Sequence, residues 1–212
     1  MFESIFRRKQ DEEAMRKNGR LPPGQSLTQR FPVLHYGPVP SFQPENWDFK
    51  IWGEVEQPLR LSWAEFNQLP RTSINIDLHC VTHWSKFDMP WEGVAVRTLV
   101  ELGLLKIKAN ARHVIEHAEY GYTTNLPLRV VLQENFLLAT HYDGHALEPE
   151  HGFPLRGVIG AIPGRDDLVT PYLWKGAKWL RGLEIVSQDQ PGFWEQAGYH
   201  NDADVWKEER FG

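Results

Sequence analysis

Trp47, Phe49 and Ile51 alternate with Asp48 and Lys50, the two-residue period of a strand with one buried face. Ile74, Ile76, Leu78 and Cys80 alternate in the same way with Asn75, Asp77 and His79. A second strand is therefore expected there, with Cys80 facing inward at its end. Further strands are expected around Arg112 to His117, over Phe136 to Tyr142, over Arg156 to Ile162 and over Trp179 to Val186. The Asp143-Gly144 pair closes the second of these with a tight turn. Helical signals are fewer. Ser62 followed by Glu65 makes a capping box for a short helix through Leu69, and Val96 to Leu105 reads as another helix. Phe31 to Pro44 holds four prolines and a glycine, which makes it irregular backbone.

Strands outnumber helices and show no regular βαβ alternation, so the pattern predicts an α+β fold with mainly antiparallel sheets and short helices. Residues 1–24, closed by Leu21-Pro22-Pro23-Gly24, read as an N-terminal leader. Residues 25–190 read as one folded domain, with no composition break inside it. Residues 191–212 carry Trp194, Tyr199, Trp206 and Phe211 among charges, and read as a tail packed back on that domain.

Composition narrows the function. The net charge of −5 over 212 residues gives no reason to expect nucleic acid as a partner, although a local basic pocket is compatible with it. Nine tryptophans supply core packing or flat ligand surfaces. The single cysteine, Cys80, excludes an intrachain disulfide and a cysteine-rich zinc module. Met1 to Arg20 is charged and lacks the apolar core of a signal peptide, and no run of apolar residues is long enough to span a membrane. A cytoplasmic protein without a membrane span is expected. Phe2, Ile5 and Phe6, followed by Arg7, Arg8 and Lys9, read as a leader resting on its own domain rather than as a membrane-surface anchor.

Two groups of residues carry candidate chemistry. His79, Cys80 and His83 are three soft-metal ligands in five residues, but strand alternation sends His79 to the face opposite Cys80. His141, His145 and His151 lack the helical frame of a zinc hydrolase, and no signature of a cysteine hydrolase surrounds Cys80. The second group interleaves Arg156, Lys175, Lys178 and Arg181 with Gly157, Gly160, Gly164, Gly176 and Gly182. Cations beside glycines suit a phosphate, although neither a Walker loop nor a Rossmann fingerprint occurs.

Five segments in order resemble the molybdenum domain of the sulfite oxidase family. Asp77-Leu78-His79-Cys80-Val81-Thr82-His83-Trp84-Ser85 resembles the cysteine motif of its bacterial branch, which includes protein-methionine-sulfoxide reductases. The others are Phe31 to Pro40, ending in Pro38-Val39-Pro40; Gly121 to Leu128; His151-Gly152-Phe153-Pro154-Leu155-Arg156; and Lys178-Trp179-Leu180. The resemblance implies a sulfite oxidase-like molybdopterin-binding fold, with molybdenum held by the Cys80 thiolate and by the dithiolene of a pterin. It further implies that His151, Arg156, Gly176, Ala177 and Lys178 hold the cofactor's phosphate, and that His35 and Tyr36 cover the pterin. Lys175, His117, Thr123 and Thr124 are additional candidates around the cofactor, and Trp84 and Trp91 candidate walls. His83 is the candidate proton donor.

The sulfite oxidases carry arginines just after the metal-binding cysteine, where this chain has Val81-Thr82-His83-Trp84-Ser85. The resemblance therefore implies oxygen-atom transfer, with reduction of a sulfoxide or N-oxide favoured over oxidation of sulfite. No Cys-x-x-Cys-His haem motif occurs, so an unidentified electron donor or acceptor is expected alongside the small-molecule substrate. The alternatives are a cofactor-binding or cofactor-free interaction module without turnover, and a zinc protein using Cys80 with nearby histidines.

Overall fold

A computed structural model describes residues 2–212, with side chains described from residue 9 onward. The side chains of Phe2, Ile5, Phe6, Arg7 and Arg8 thus lie outside the described residues. In chain order the elements are α1 (Phe2–Lys17), β1 (Ser26–Leu27), β2 (Asp48–Gly53), β3 (Leu59–Ser62), α2 (Trp63–Asn67), β4 (Thr72–His79), β5 (Trp84–Val94), α3 (Val96–Glu101), β6 (His113–Ala118) and β7 (Thr123–Pro127). They continue with α4 (Leu128–Val131), β8 (Phe136–Tyr142), β9 (His145–Ala146), β10 (Arg156–Ile159), β11 (Leu180–Val186) and α5 (Phe193–Gln196).

The strands form two sheets. One runs β1-β5-β8-β10, with β4 on β5 and β9 on β8; the other runs β3-β2-β11-β6-β7. Among the described residues only β1 with β5 and β11 with β2 pair in parallel. The fold is thus α+β with mainly antiparallel pairing, as the residue pattern predicts. Phe49, Ile51, Val114, Leu183 and Ile185 of the second sheet meet Val94, Phe136, Leu138 and Ile159 of the first in one core. Each such fully buried side chain contributes about 1.5–3 kcal/mol of transfer free energy. The other face of the first sheet packs Ile76, Leu78, Met89, Trp91, Leu137 and Val158 into a second cluster.

Local signals set several boundaries. The Ser62 hydroxyl accepts from Glu65 N and the Glu65 carboxylate accepts from Ser62 N, the reciprocal capping box of α2. The Asp143-Gly144 turn has φ of 51° and 75°, the left-handed pair of a tight hairpin. The helix expected to Leu105 stops at Glu101, because Gly103 turns left-handed at φ 71° and the amides of Leu104 and Leu105 fold back onto Leu99 O. β10 is shorter than expected, ending at Ile159. β5, the longest strand, was not expected. Asp88 bulges at φ 54° and Pro90 interrupts the pattern. Opposite that bulge the register of β4 shifts between Ile76 and Leu78, and all four residues from Ile76 to His79 are buried. β4 thereby carries Cys80 into the interior.

Both ends of the chain pack on this body. Arg20 pairs with Asp77 at 2.7 Å, and Arg16 donates to Pro22 O. At the other end Pro171 bridges Asp204, and Ala203 and Val205 bury against Tyr172 and Trp174.

Candidate functional site

Cys80 follows β4 in a tight reversal into β5. Its amide donates to Trp84 O at 2.9 Å and its carbonyl accepts from His83 N at 3.1 Å, with His83 left-handed at φ 69°. Thr82 Oγ1 donates to the Cys80 sulfur at 3.2 Å. The thiol opens onto a cavity of about 310 Å³ lined by Leu34, His35, Tyr36, Cys80, Val81, Thr82, Tyr122, Arg156, Leu173, Trp174, Gly176, Lys178, Trp179, Trp194 and Tyr199.

Two cations share this cavity. Arg156 begins β10, is 1% exposed, and lies 5.4 Å from the Trp91 ring. Its guanidinium donates to His151 O and Gly157 O, and makes no salt bridge to a described carboxylate. Burial pushes it down to about 10, with Glu116 opposing. Lys178 Nζ donates to Leu34 O at 2.8 Å and to Glu150 O at 2.7 Å. Burial, then Arg156, push it down to about 7. His151 stacks on Phe31 at 4.0 Å, and burial with the two cations holds its ring at about 4. Its buried Nδ1 has no hydrogen-bond partner among the described residues. Buried like charges depress one another, and a bound anion relieves both.

Behind the cavity lies a buried acid. Glu116 on β6 is 0% exposed; its Oε2 accepts from Ala177 N at 2.7 Å and its Oε1 has no hydrogen-bond partner among the described residues. A Cβ on Gly157 would come within 2.3 Å of that carboxylate, so only glycine leaves room for it. Burial raises Glu116 to about 8 from 4.5. Across that window the folded state holds a proton that the unfolded chain has lost, so the contribution of Glu116 to stability falls as pH rises, by on the order of 1 kcal/mol per pH unit. Glu116→Gln is expected to flatten this dependence and to be more stable than the parent at neutral pH. Urea midpoints of both proteins between about pH 5 and 8 check it; parallel profiles would refute a buried neutral acid.

The structure brings His35, Tyr36, Cys80, Arg156, Gly176 and Lys178 to one cavity, with His151 and Ala177 beside it. His35 lies edge-on to Trp179 at 5.2 Å, and Tyr36 lies on Phe193 at 4.5 Å. The amides of Gly176 and Ala177 are already used, on Leu173 O and Glu116. A Cβ at Gly176 would sit 2.6 Å from Gly157 O, so its role here is close approach of chains.

Other expected residues lie elsewhere. His83 turns out of the cavity and its Nδ1 donates to Gly24 O. His117 pairs with Glu184 and packs on Trp52. Lys175 gives all three protons to Asn125, Glu195 and Asn201 O. Thr124 reaches Glu195, Thr123 is outside the cavity lining, and Trp84 and Trp91 pack around Phe31. A zinc site at Cys80 is not formed. His79 Nδ1 is spent on Ser85, and among the described residues the group of three possible ligands is His200, Asp202 and Glu209. The sequence sets the tail with Trp194 and Tyr199 back over the domain near the pocket mouth, whereas Tyr122 and Trp174 in the wall were not expected; the excess of aromatic residues was the available signal.

The donor set fits a molybdenum–pterin cofactor: one soft thiol, two cations without a carboxylate partner for a phosphate, and aromatic walls for a flat ring. Among the described residues no helix is long and apolar enough to cross a membrane.

A family model described as oxidoreductase molybdopterin binding domain matches residues 36–194. The chain is 44% identical over 196 residues to the uncharacterized oxidoreductase YuiH of Bacillus subtilis (strain 168), covering 92% of this chain and 93% of that protein. It is 26% identical to the protein-methionine-sulfoxide reductase catalytic subunit MsrP of Campylobacter jejuni, over 73% of this chain and 54% of that one. To the sulfite oxidase of Arabidopsis thaliana it is 22% identical, over 78% and 48% respectively. The chain thus spans about half the length of these last two relatives. Among solved structures, the sulfane dehydrogenase SoxCD of Paracoccus pantotrophus shares the fold, with a TM-score of 0.60 and 20% identity over 73% of this chain and 41% of that one. With the family model matched over three quarters of its length, the chain belongs to the oxidoreductase molybdopterin binding domain family and is a molybdopterin-dependent oxidoreductase.

Proposed function

We propose that the protein reduces a neutral sulfoxide or N-oxide by oxygen-atom transfer, rather than oxidising sulfite. The observation that carries this reading is the distribution of charge in the cavity. Its two cations, Arg156 and Lys178, are the groups we assign to the cofactor phosphate, and Val81 and Thr82 beside the thiol are neutral. The remaining wall of Leu34, Leu173, Trp174, Trp194 and Tyr199 suits an uncharged substrate. The relative from Campylobacter jejuni is named for reduction of protein methionine sulfoxide, which supports the same chemistry.

When bound, the molybdenum centre supplies two-electron oxygen-atom transfer. In this reading Cys80 holds the metal as a thiolate, with the Thr82 hydroxyl bonded to its sulfur. Arg156 and Lys178 hold the phosphate, and His35 with Trp179 flanks the ring system. The net reaction breaks the sulfur–oxygen bond of the sulfoxide and, with two protons and two electrons, yields the sulfide and water. The electrons come from an external donor. The proton step falls to Tyr199 rather than to His83, which lies outside the cavity. Of the three tyrosines lining the cavity, Tyr36 is 51% exposed and the Tyr122 hydroxyl is committed to Trp174 O and held protonated by burial, which leaves Tyr199. A cytoplasmic location belongs to the same reading, supported by the lone unpaired cysteine.

The test is turnover by protein made in a cofactor-competent host, with reduced methyl viologen as donor for dimethyl sulfoxide, methionine sulfoxide and trimethylamine N-oxide, and ferricyanide as acceptor for sulfite. At least one oxide is expected to exceed sulfite by about tenfold or more in kcat/KM. Tyr199→Phe is expected to lower kcat by about a hundredfold. Sulfite oxidation faster than reduction of every oxide would overturn the proposal.

A further inference from the structure

The two ends of the chain meet behind the Cys80 loop. Gly24 is left-handed at φ 67°, and a Cβ there would lie 2.3 Å from Glu208 Oε1 and 2.9 Å from Arg210 Nη2. Glycine is what lets the N-terminal segment lie against the C-terminal one. From this junction, donors reach the carbonyls of the loop. Gln25 Nε2 donates to Cys80 O at 3.1 Å, Arg210 Nη1 to Val81 O at 2.7 Å, and Ser26 N to His83 O at 2.9 Å. His83 Nδ1 returns a bond to Gly24 O at 2.8 Å, which requires its proton on that nitrogen.

These groups are interior. Gln25 is 0% exposed, Arg210 7% and Tyr172 0%, with the Arg210 guanidinium 4.7 Å from the Tyr172 ring centre. Arg210 Nη2 is buried with no described hydrogen-bond partner, 3.8 Å from Glu208 Oε1, and Tyr172 interacts with the Gln25 side chain; burying so many polar groups works against stability. A junction that only had to close the chain ends would be more stable if built from apolar side chains. This one instead aims polar donors at consecutive carbonyls of a single turn, the turn that carries the thiol.

We propose that Gln25 and Arg210 are positioning residues, one from each end of the chain. They fix the backbone from Cys80 to His83 so that the sulfur faces the cavity and stays on Thr82 Oγ1. The inference rests on the reading of Cys80 as the metal ligand, because only then does the aim of its sulfur matter to function. Loss of either donor frees a carbonyl, lets the turn open locally and exposes the sulfur.

The test uses the full chain without cofactor, so that it is independent of turnover. Cys80 is the only cysteine, so its alkylation by iodoacetamide at one fixed pH reads opening of this turn directly, with Cys80→Ala as the blank. Arg210→Met and Gln25→Leu are each expected to speed alkylation roughly tenfold. Arg210→Lys, which keeps a charged donor, is expected to restore most of the protection. Val114→Ala, in the core between the sheets, lowers Tm but is expected to leave the rate near that of the parent. Should Arg210→Met fail to fold, Gln25→Leu decides alone. Unchanged alkylation in the donor variants, or rates that follow Tm alike in all variants, would overturn the proposal. Failure of the ligand reading shows separately, as full molybdenum in Cys80→Ala.

Discussion

Cys80→Ala protein is expected to fold with nearly the parent's stability and to lose turnover by at least about a thousandfold. The two effects separate for a physical reason. Cys80 is 7% exposed at a cavity wall, and removing its sulfur takes one small group from a boundary rather than from a packed centre. A loss of about 1 kcal/mol is the scale of such a deletion. The functional loss is large because the cavity offers no second soft donor. The other polar side chains of its lining are Thr82, His35, three tyrosines, Arg156 and Lys178, none of which supplies a second sulfur donor. Cys80→Ser keeps an acceptor for Thr82 but offers a harder oxygen. Calorimetry beside turnover checks the separation, and an active alanine variant would refute it.

Lys175→Met is expected to destabilise the protein by about 3–5 kcal/mol, the cost of leaving its buried partner charge unpaired. The Lys175 and Glu195 side chains are 1% and 2% exposed and 2.8 Å apart. Lys175 places its other protons on Asn125 and Asn201 O, while Glu195 also accepts from Trp174 Nε1 at 2.9 Å. The pair therefore ties α5 and residue 201 to the turn before β11. The double variant Lys175→Met with Glu195→Gln is expected to recover most of the loss, since the amide oxygen still accepts from Trp174 and no charge remains. Urea denaturation of the single and double variants measures it. A double variant as unstable as the single one would show that the charge pair is not the cause.

The parts of this architecture that depend on local pattern were legible in the sequence. The alternation from Ile74 to Cys80 placed a strand with the thiol at its inner end, and the Ser62–Glu65 box and the Asp143-Gly144 turn formed where their chemistry called for them. The motifs around Cys80 and Arg156 carried the family. What escaped was set by tertiary contacts. β5 was hidden by Asp88 and Pro90, whose bulge makes sense only beside Asp77, which accepts from Asp88 N. His83 was expected as the proton donor of the site, but its left-handed backbone turns the ring to Gly24. Lys175 stood among the expected phosphate ligands, yet the carboxylate that claims it arrives from twenty residues downstream. Trp194 and Tyr199 reach the cavity because the tail packs back on Tyr172 and Trp174, a long-range contact that spacing does not encode.

In the proposed reading Cys80 holds the metal of the cofactor in this cavity. Molybdenum K-edge X-ray absorption on loaded parent and Cys80→Ser protein tests it most directly. The serine variant is expected to show a sulfur shell smaller by one scatterer, with a shorter oxygen contact in its place or with the metal lost. An identical sulfur shell and equal molybdenum content in both proteins would contradict it.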